Sequence, residues 1–176
     1  MGKTITTDIK KCVACRTCEL ACAVAHTASG DILEAIHESP RPHKRVAVEA
    51  VDEFAVPMQC RHCEDAPCIT VCPTGAISRH AEDSPVLINP DLCIGCKYCL
   101  VVCPFGAIEI TEDSKGATKC DFCINRPGAG QVPACVEACP TGALQLVDDK
   151  ELAAGKRRSA AREQVLSMRN EGMSHK

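Results

Sequence analysis

The residues able to do chemistry in this 176-residue chain are its sixteen cysteines, and they fall into four groups of four. The groups are Cys12, Cys15, Cys18 and Cys22; Cys60, Cys63, Cys68 and Cys72; Cys93, Cys96, Cys99 and Cys103; and Cys120, Cys123, Cys135 and Cys139. No cysteine is left over. The third group reads C-x2-C-x2-C-x3-C-P, a ligand run for [4Fe–4S] clusters. Such a cube needs one thiolate per iron. Three cysteines two residues apart wrap three corners from one loop, and the fourth, a helical turn on, points toward a second cube. Groups therefore come in linked pairs that force two clusters close together, as electron transfer requires. Four groups imply four [4Fe–4S] clusters with every corner assigned. No iron is left open for a substrate, so the chemistry expected is non-catalytic electron transfer. Spacing leaves the pairing open. Second with third enclosed by first with fourth is one option, and first with second beside third with fourth is the other.

Composition agrees with a chain folded around inorganic cores. Trp, Tyr and Phe together number four, too few to fill a core with large side chains. Iron–sulfur cubes fill that volume instead, and without them the chain is expected to be largely unfolded, because metal-binding energy is folding energy in such domains. A secreted disulfide scaffold is the competing reading of so many cysteines. Residues 1–8 (MGKTITTD) carry no apolar signal core, and cysteines two residues apart suit chelation better than bridging. Zinc uses C-x2-C pairs separated by longer spans. It is conceivable at the fourth group, which has eleven residues between Cys123 and Cys135. A sensor with labile clusters is a further class, but it needs one such cluster rather than four in series. No G-x-G-x-x-G stretch for a dinucleotide is present. The six histidines form no metal-binding array. His62, inside the Cys60–Cys63 loop, is a candidate to tune a cluster by hydrogen bonding, or an ordinary structural or exposed residue. No apolar run is long enough to span a bilayer, and Arg157-Arg158 lie too far along to form a twin-arginine signal. A cytoplasmic place is expected, with any membrane association through a partner.

A phrase repeats after three of the groups: Cys72-Pro73-Thr74-Gly75-Ala76-Ile77, Cys103-Pro104-Phe105-Gly106-Ala107-Ile108 and Cys139-Pro140-Thr141-Gly142-Ala143-Leu144. Proline ends the helical turn that carries the last ligand, glycine permits a tight reversal, and the apolar residue opens a short strand. The strands expected are 77–79, 108–110 and 144–146, with 86–88 as a strand entering the third group. Cys22 is followed by Ala23 instead, and residues 21–27 continue as a helix. Residues 29–59 form a cysteine-free insertion with a Pro-rich turn at 39–42 and a strand at 45–51, expected to cover clusters and sheet edges. Residues 125–130 read as a loop. The tail, 150–176, holds seven Lys or Arg against three Glu, a net of +4. It reads as a helix around Leu152, Val165, Leu166 and Met168, either solvated or used to dock a partner or assemble copies.

Residues 11–26 (KCVACRTCELACAVAH) and 59–73 (QCRHCEDAPCITVCP), with Pro40-Arg41-Pro42 and Arg45-Val46, carry a family resemblance. Over residues 4–149 the chain resembles the four-cluster, ferredoxin-like electron-transfer subunits of anaerobic oxidoreductases, which include the beta subunits of molybdopterin enzymes. It looks most like the iron–sulfur proteins associated with carbon monoxide dehydrogenase. Small subunits of formate hydrogenlyase and of hydrogen-dependent carbon dioxide reductase are near relatives. The resemblance implies an α+β fold of two pseudo-symmetric bacterial-ferredoxin-like 2[4Fe–4S] modules with short strands and helices, plus a C-terminal helix. The outer module would be 1–28 with 112–149, the inner 60–111. It also implies nested ligation: Cys12, Cys15, Cys18 and Cys139 on one cube; Cys22, Cys120, Cys123 and Cys135 on its neighbour; Cys60, Cys63, Cys68 and Cys103 on the next; Cys72, Cys93, Cys96 and Cys99 on the last. The function implied is relay of electrons from carbon monoxide dehydrogenase to a hydrogenase, ferredoxin or flavoprotein, or the same role beside a formate dehydrogenase and hydrogenase. Membrane-bound relatives often carry a C-terminal transmembrane helix. Its lack here favours a soluble complex, with no nucleic-acid partner and no direct membrane insertion.

Overall fold

Every ligand loop is entered from a strand, and that arrangement organises the chain. The computed structural model describes residues 2–110, 116–126 and 132–173, with side chains to residue 169. The module boundary expected at 111/112, most of the 125–130 loop and the last three tail residues lie outside the described residues. Strand β1 (Lys3–Thr7) leads to the first cysteine group, β3 (Phe54–Gln59) to the second, β5 (Leu87–Ile88) to the third and β7 (Ala117–Lys119) to the fourth. The strands opened by the repeated phrase are β4 (Ile77–Ser78), β6 (Ile108–Ile110) and β8 (Leu144–Asp148). Each pairs with the strand entering another group: β4 with β5, β6 with β7, and β8 with β1. The pairings β4–β5 and β6–β7 are antiparallel, with Ile77 opposite Ile88 and Ile108 opposite Lys119.

The first group has no such phrase after it, so its exit strand comes from elsewhere. Residues 29–59 supply it as β2 (Val46–Val51), which pairs antiparallel with β3 from Val46 opposite Gln59 to Val51 opposite Phe54. The hairpin does more than cover an edge. Val46, Val48 and Ala55 are buried with Ile5, Cys18, Cys22, Cys135 and Leu144 in one apolar cluster. A second cluster gathers Ala66, Cys68, Ile77, Val86, Cys99, Ile108 and Ala117. Both are built of small aliphatic side chains and thiols.

The helices before the tail are short: α1 (Thr17–Val24), α2 (Ile32–Ala35), α3 (Pro67–Thr70), α4 (Tyr98–Val102) and α5 (Ala134–Glu137). Four of them carry one or two ligands each, and α2 carries none. Asp31 caps α2 through Oδ1, which accepts from the amides of Leu33 (2.7 Å) and Glu34 (3.2 Å). Pro67 sits at the first helical position of α3, where its missing N–H has no cost.

Two compact units result. One spans residues 5–146 and contains every cysteine. The other holds residues 2–4 with 147 onward. In the second unit Asp148 Oδ1 accepts from the amides of Lys150 (2.9 Å) and Glu151 (3.4 Å), starting α6 (Asp149–Met173). No side chain of α6 through Arg169 is buried; a helix polar all round has no core-facing stripe of its own. Among the described residues, no helix is long and apolar enough to cross a membrane.

Candidate metal centres

All four ligand loops share one backbone device. The residue just before the second cysteine has positive φ in each: Ala14 (+56°), His62 (+49°), Gly95 (+68°) and Phe122 (+64°). Left-handed backbone is costly for non-glycine residues and persists where the surroundings over-determine it. Here it curls two cysteines toward a common point. Arg16 (+57°) and Lys97 (+68°) repeat the turn after the second cysteine and lead into α1 and α4. The exit phrase is equally regular. Gly75, Gly106 and Gly142 all have positive φ, and the amide of each donates to the carbonyl of its group's last cysteine at 3.3 Å.

The thiols converge across groups. Cys60, Cys63 and Cys68 line one cavity with Cys103, beside His62, Val86 and Phe105; the non-atom space there, open mouth included, is about 360 Å³. Cys93, Cys96 and Cys99 line a second, of about 320 Å³, with Cys72, Thr74 and Ala117. The last cysteine of each inner group thus lies with the first three of the other. The outer groups show the same exchange in their electrostatics. A charge on Cys139 acts on Cys15 and Cys18, while one on Cys22 acts on Cys120, Cys123 and Cys135. Cys12 and Cys139 pack against the same apolar cluster. Cys72 is nowhere grouped with Cys12 or Cys15.

The donor set fits a metal–sulfide core. Burial pushes the Cys18 thiol up to about 11, Cys120 to about 12 and Cys135 higher still. A bare thiolate is disfavoured there, and bound iron removes that cost. Other sulfurs already have donors. Burial opposes ionisation of Cys72 and Cys139, but amides of the exit phrase and the hydroxyls of Thr74 and Thr141 outweigh it and pull both thiols down. The amides of Arg45, His62 and Ala117 donate to Cys22 (3.2 Å), Cys60 (3.4 Å) and Cys93 (3.4 Å). Gln59 is 1% exposed, beside Cys60, and neither of its amide atoms has a hydrogen-bond partner among the described residues. His62 is half-buried with both ring nitrogens buried in the cavity of Cys60, and among the described residues they make no hydrogen bond of normal geometry. Burial, with the Lys119 charge, holds it down to about 4, hence neutral at pH 7. Such orphaned polar atoms suit a cluster whose sulfides accept hydrogen bonds. When bound, each cluster supplies one-electron redox chemistry.

Side chains outside the cysteine groups brace the loops. Asp121 Oδ1 accepts from His26 Nε2 (3.0 Å) and from the Cys123 amide (2.9 Å), and Oδ2 pairs with Arg45 (2.6 Å). His26 Nδ1 also lies 2.6 Å from the Cys22 carbonyl. Burial opposes both charges. The Asp121 bond nevertheless raises His26 to about 9, and His26 with Arg45 holds the Asp121 carboxyl far below the usual range. His26, Asp121 and Cys123 could in principle hold a cation, but Cys123 belongs to the fourth group and Asp121 is already saturated by cations. Arg79 clamps the second loop through the carbonyls of His62 (2.9 Å) and Cys63 (2.6 Å). Of these only Asp121 sits beside a cysteine, in Lys119-Cys120-Asp121, a charge pattern that solvated loops share; His26 and Arg45 lie in the segments that carry the family resemblance, with no role assigned to them there.

Residues 51–149, which contain the second, third and fourth groups, match the 4Fe-4S dicluster domain. The protein belongs to this family of ferredoxin-like electron-transfer proteins. It is 48% identical over 138 residues to an iron-sulfur protein of Rhodospirillum rubrum, covering 72% of each chain. It is 40% identical to the electron transport protein HydN of Escherichia coli, covering 77% of this chain and 82% of that one. A subunit of the anaerobic dimethyl sulfoxide reductase of Escherichia coli is 37% identical, over 74% of this chain and 65% of the relative. With sixteen cysteines in this family, the chain carries four [4Fe–4S] clusters, and the zinc reading of the fourth group falls away.

Proposed function

We propose that this chain is a non-catalytic relay passing electrons from carbon monoxide dehydrogenase to a hydrogenase, a ferredoxin or a flavoprotein. The ligands of its four clusters are assigned as Cys12, Cys15, Cys18 and Cys139; Cys22, Cys120, Cys123 and Cys135; Cys60, Cys63, Cys68 and Cys103; and Cys72, Cys93, Cys96 and Cys99. The two apolar clusters and the recurring loop geometry support a pair of pseudo-symmetric ferredoxin-like modules, outer 1–28 with 112–149 and inner 60–111.

The observation that carries the relay is the exposure of the thiols. Cys15 and Cys96 are exposed, while the other fourteen are buried or half-buried. In the assigned order these two belong to the first and last cubes. Exposed apolar side chains flank each in sequence: Val13 and Leu20 about Cys15, and Leu92, Ile94, Tyr98 and Val101 about Cys96. Apolar surface at two separate cluster edges suits transient docking of a donor and an acceptor. A single catalytic pocket would have no use for two such edges. The basic α6 is the element that docks a partner or assembles copies, and the relay works in the cytoplasm.

The test is to mix the holoprotein with carbon monoxide dehydrogenase under CO, without dyes, and follow the visible iron–sulfur absorption. Bleaching supports the assignment. Absorption that persists under CO but bleaches with formate or hydrogen and their own enzymes transfers the relay to a formate dehydrogenase or hydrogenase complex. Persistence under all three reductants sinks it.

A further inference from the structure

Lys119 is 5% exposed, and lysine is almost never buried without partners. Its ammonium has three donors, and three acceptors meet them: the carbonyl of Val86, the carbonyl of Cys120 (3.2 Å) and the sulfur of Cys60 (3.6 Å). Burial raises the Cys68 thiol, and the Lys119 charge opposes that rise. Backbone pairing fixes the position, because Lys119 ends β7 opposite Ile108 of β6. Around it the second and fourth loops meet. The rings of His62 and Phe122 pack edge to face at 5.5 Å, and a charge on Cys60 acts on Cys120.

We propose that Lys119 is the electrostatic link between the two cluster pairs. Its buried ammonium, hydrogen-bonded to Cys60 and anchored on Cys120, raises the potential of the Cys60 cluster and so sets the redox step at which electrons cross from one pair to the other. The inference rests on the ligand assignment above. The physical reason is that a one-electron reduction adds negative charge to the cluster. An unscreened ammonium on a ligand sulfur stabilises the reduced state more than the oxidised one, and hydrogen bonds to sulfur and local charge are among the levers that set such potentials. Lys119 is a tuning residue, not a ligand.

The experiment compares anaerobically purified holoprotein of wild type, Lys119→Met and Lys119→Arg by iron analysis and by EPR-monitored redox titration. Wild type should hold about 16 irons, four per [4Fe–4S] cluster. In Lys119→Met, with iron retained, the reduced-to-oxidised ratio of one cluster at fixed potential should fall about tenfold, which is about 59 mV for a one-electron couple. Lys119→Arg should keep most of the wild-type value. Full iron with four unchanged midpoints in Lys119→Met would overturn the proposal. So would an arginine variant shifted as far as the methionine one, since packing rather than charge would then be responsible. If Lys119→Met fails to hold iron, wild type grown with ε-15N-lysine decides. A 15N hyperfine coupling on a reduced cluster supports the link, and its absence from every cluster refutes it. A wild-type protein well short of 16 irons would bring down the four-cluster assignment, and this inference with it.

Discussion

Replacing Asp121 by asparagine should loosen the outer clusters without touching a ligand. The carboxylate joins three separate pieces of chain: His26 after α1, Arg45 before β2, and the Cys120–Cys123 loop. Asparagine has the same shape, so packing is kept and only charge is lost. What remains is a guanidinium facing a neutral amide, beside a His26 ring that has lost the bond holding its proton against burial. Breaking a buried ion pair from one side costs about 3–5 kcal/mol. The side chains here are 11–25% exposed, so the cost falls just below that range, roughly 2–2.8 kcal/mol. At about 1.4 kcal/mol per decade, that is a factor of about 30 to 100. Cluster loss is irreversible, so the quantity to measure is a rate. Decay of the visible absorption in denaturant, without oxygen, should be about 30 to 100 times faster in Asp121→Asn if the network breaks on the way to the unfolding barrier. Arg45→Met alone should be destabilising too, and adding it to Asp121→Asn should cost less than the sum, since contacting residues couple by about 0.5–3 kcal/mol. Equal decay rates for wild type and Asp121→Asn would refute the claim that this network holds the outer loops. Strict additivity would refute the claim that Asp121 and Arg45 act on each other.

Gly116 lies against the third group, where an added Cβ would sit 3.2 Å from Cys93 Cβ and 3.3 Å from its sulfur. Gly116→Ala should therefore cost the cluster assigned to Cys93, reducing iron by about a quarter of the roughly 16 per chain; full iron with an unshifted EPR signal would contradict that contact. Stripping the clusters with a chelator in mild acid should collapse the far-UV circular dichroism of the protein, because its two-stranded ladders are marginal alone and its core is lined with thiols that need metal. An iron-free chain that keeps its spectrum and melts cooperatively would show that the protein core suffices.

The ligand loops were legible because their conformation is dictated locally. Four cysteines at fixed spacing leave little choice of turn, and proline followed two residues later by glycine specifies the reversal that opens β4, β6 and β8. The strand expected at 45–51 appears as β2, one residue shorter. Its partner β3 was not foreseen. Pro57 interrupts the usual strand pattern, yet it pairs opposite Val48 in a two-stranded ladder. The burial of Val46 and Val48 was hidden for a different reason. The thiols that complete their core, Cys18, Cys22 and Cys135, come from distant groups, and cysteines read as ligands do not read as packing. The brace at Asp121 depends on three segments up to 95 residues apart in sequence, a separation over which single charges carry no periodic signal.

The strand pairings and the exchange of cysteines do complementary work. Between the second and third groups, and between the fourth and first, both devices act: β4–β5 and β8–β1 are hydrogen-bonded, and the last cysteines lie among the other group's thiols or feel their charge. Between the third and fourth groups no cysteine is exchanged in the proposed assignment. There the β6–β7 ladder is what ties the groups, and it ends at Lys119. Backbone ladders fix strand separation at about 4.8 Å, so a junction without a shared ligand loop is still held at a constant distance. Distance decides tunnelling and potential decides direction. A residue that closes the ladder and also places a charge on Cys60 sits where both are set. The junction between the third and fourth groups therefore rests on three backbone pairs, one of which carries the lysine.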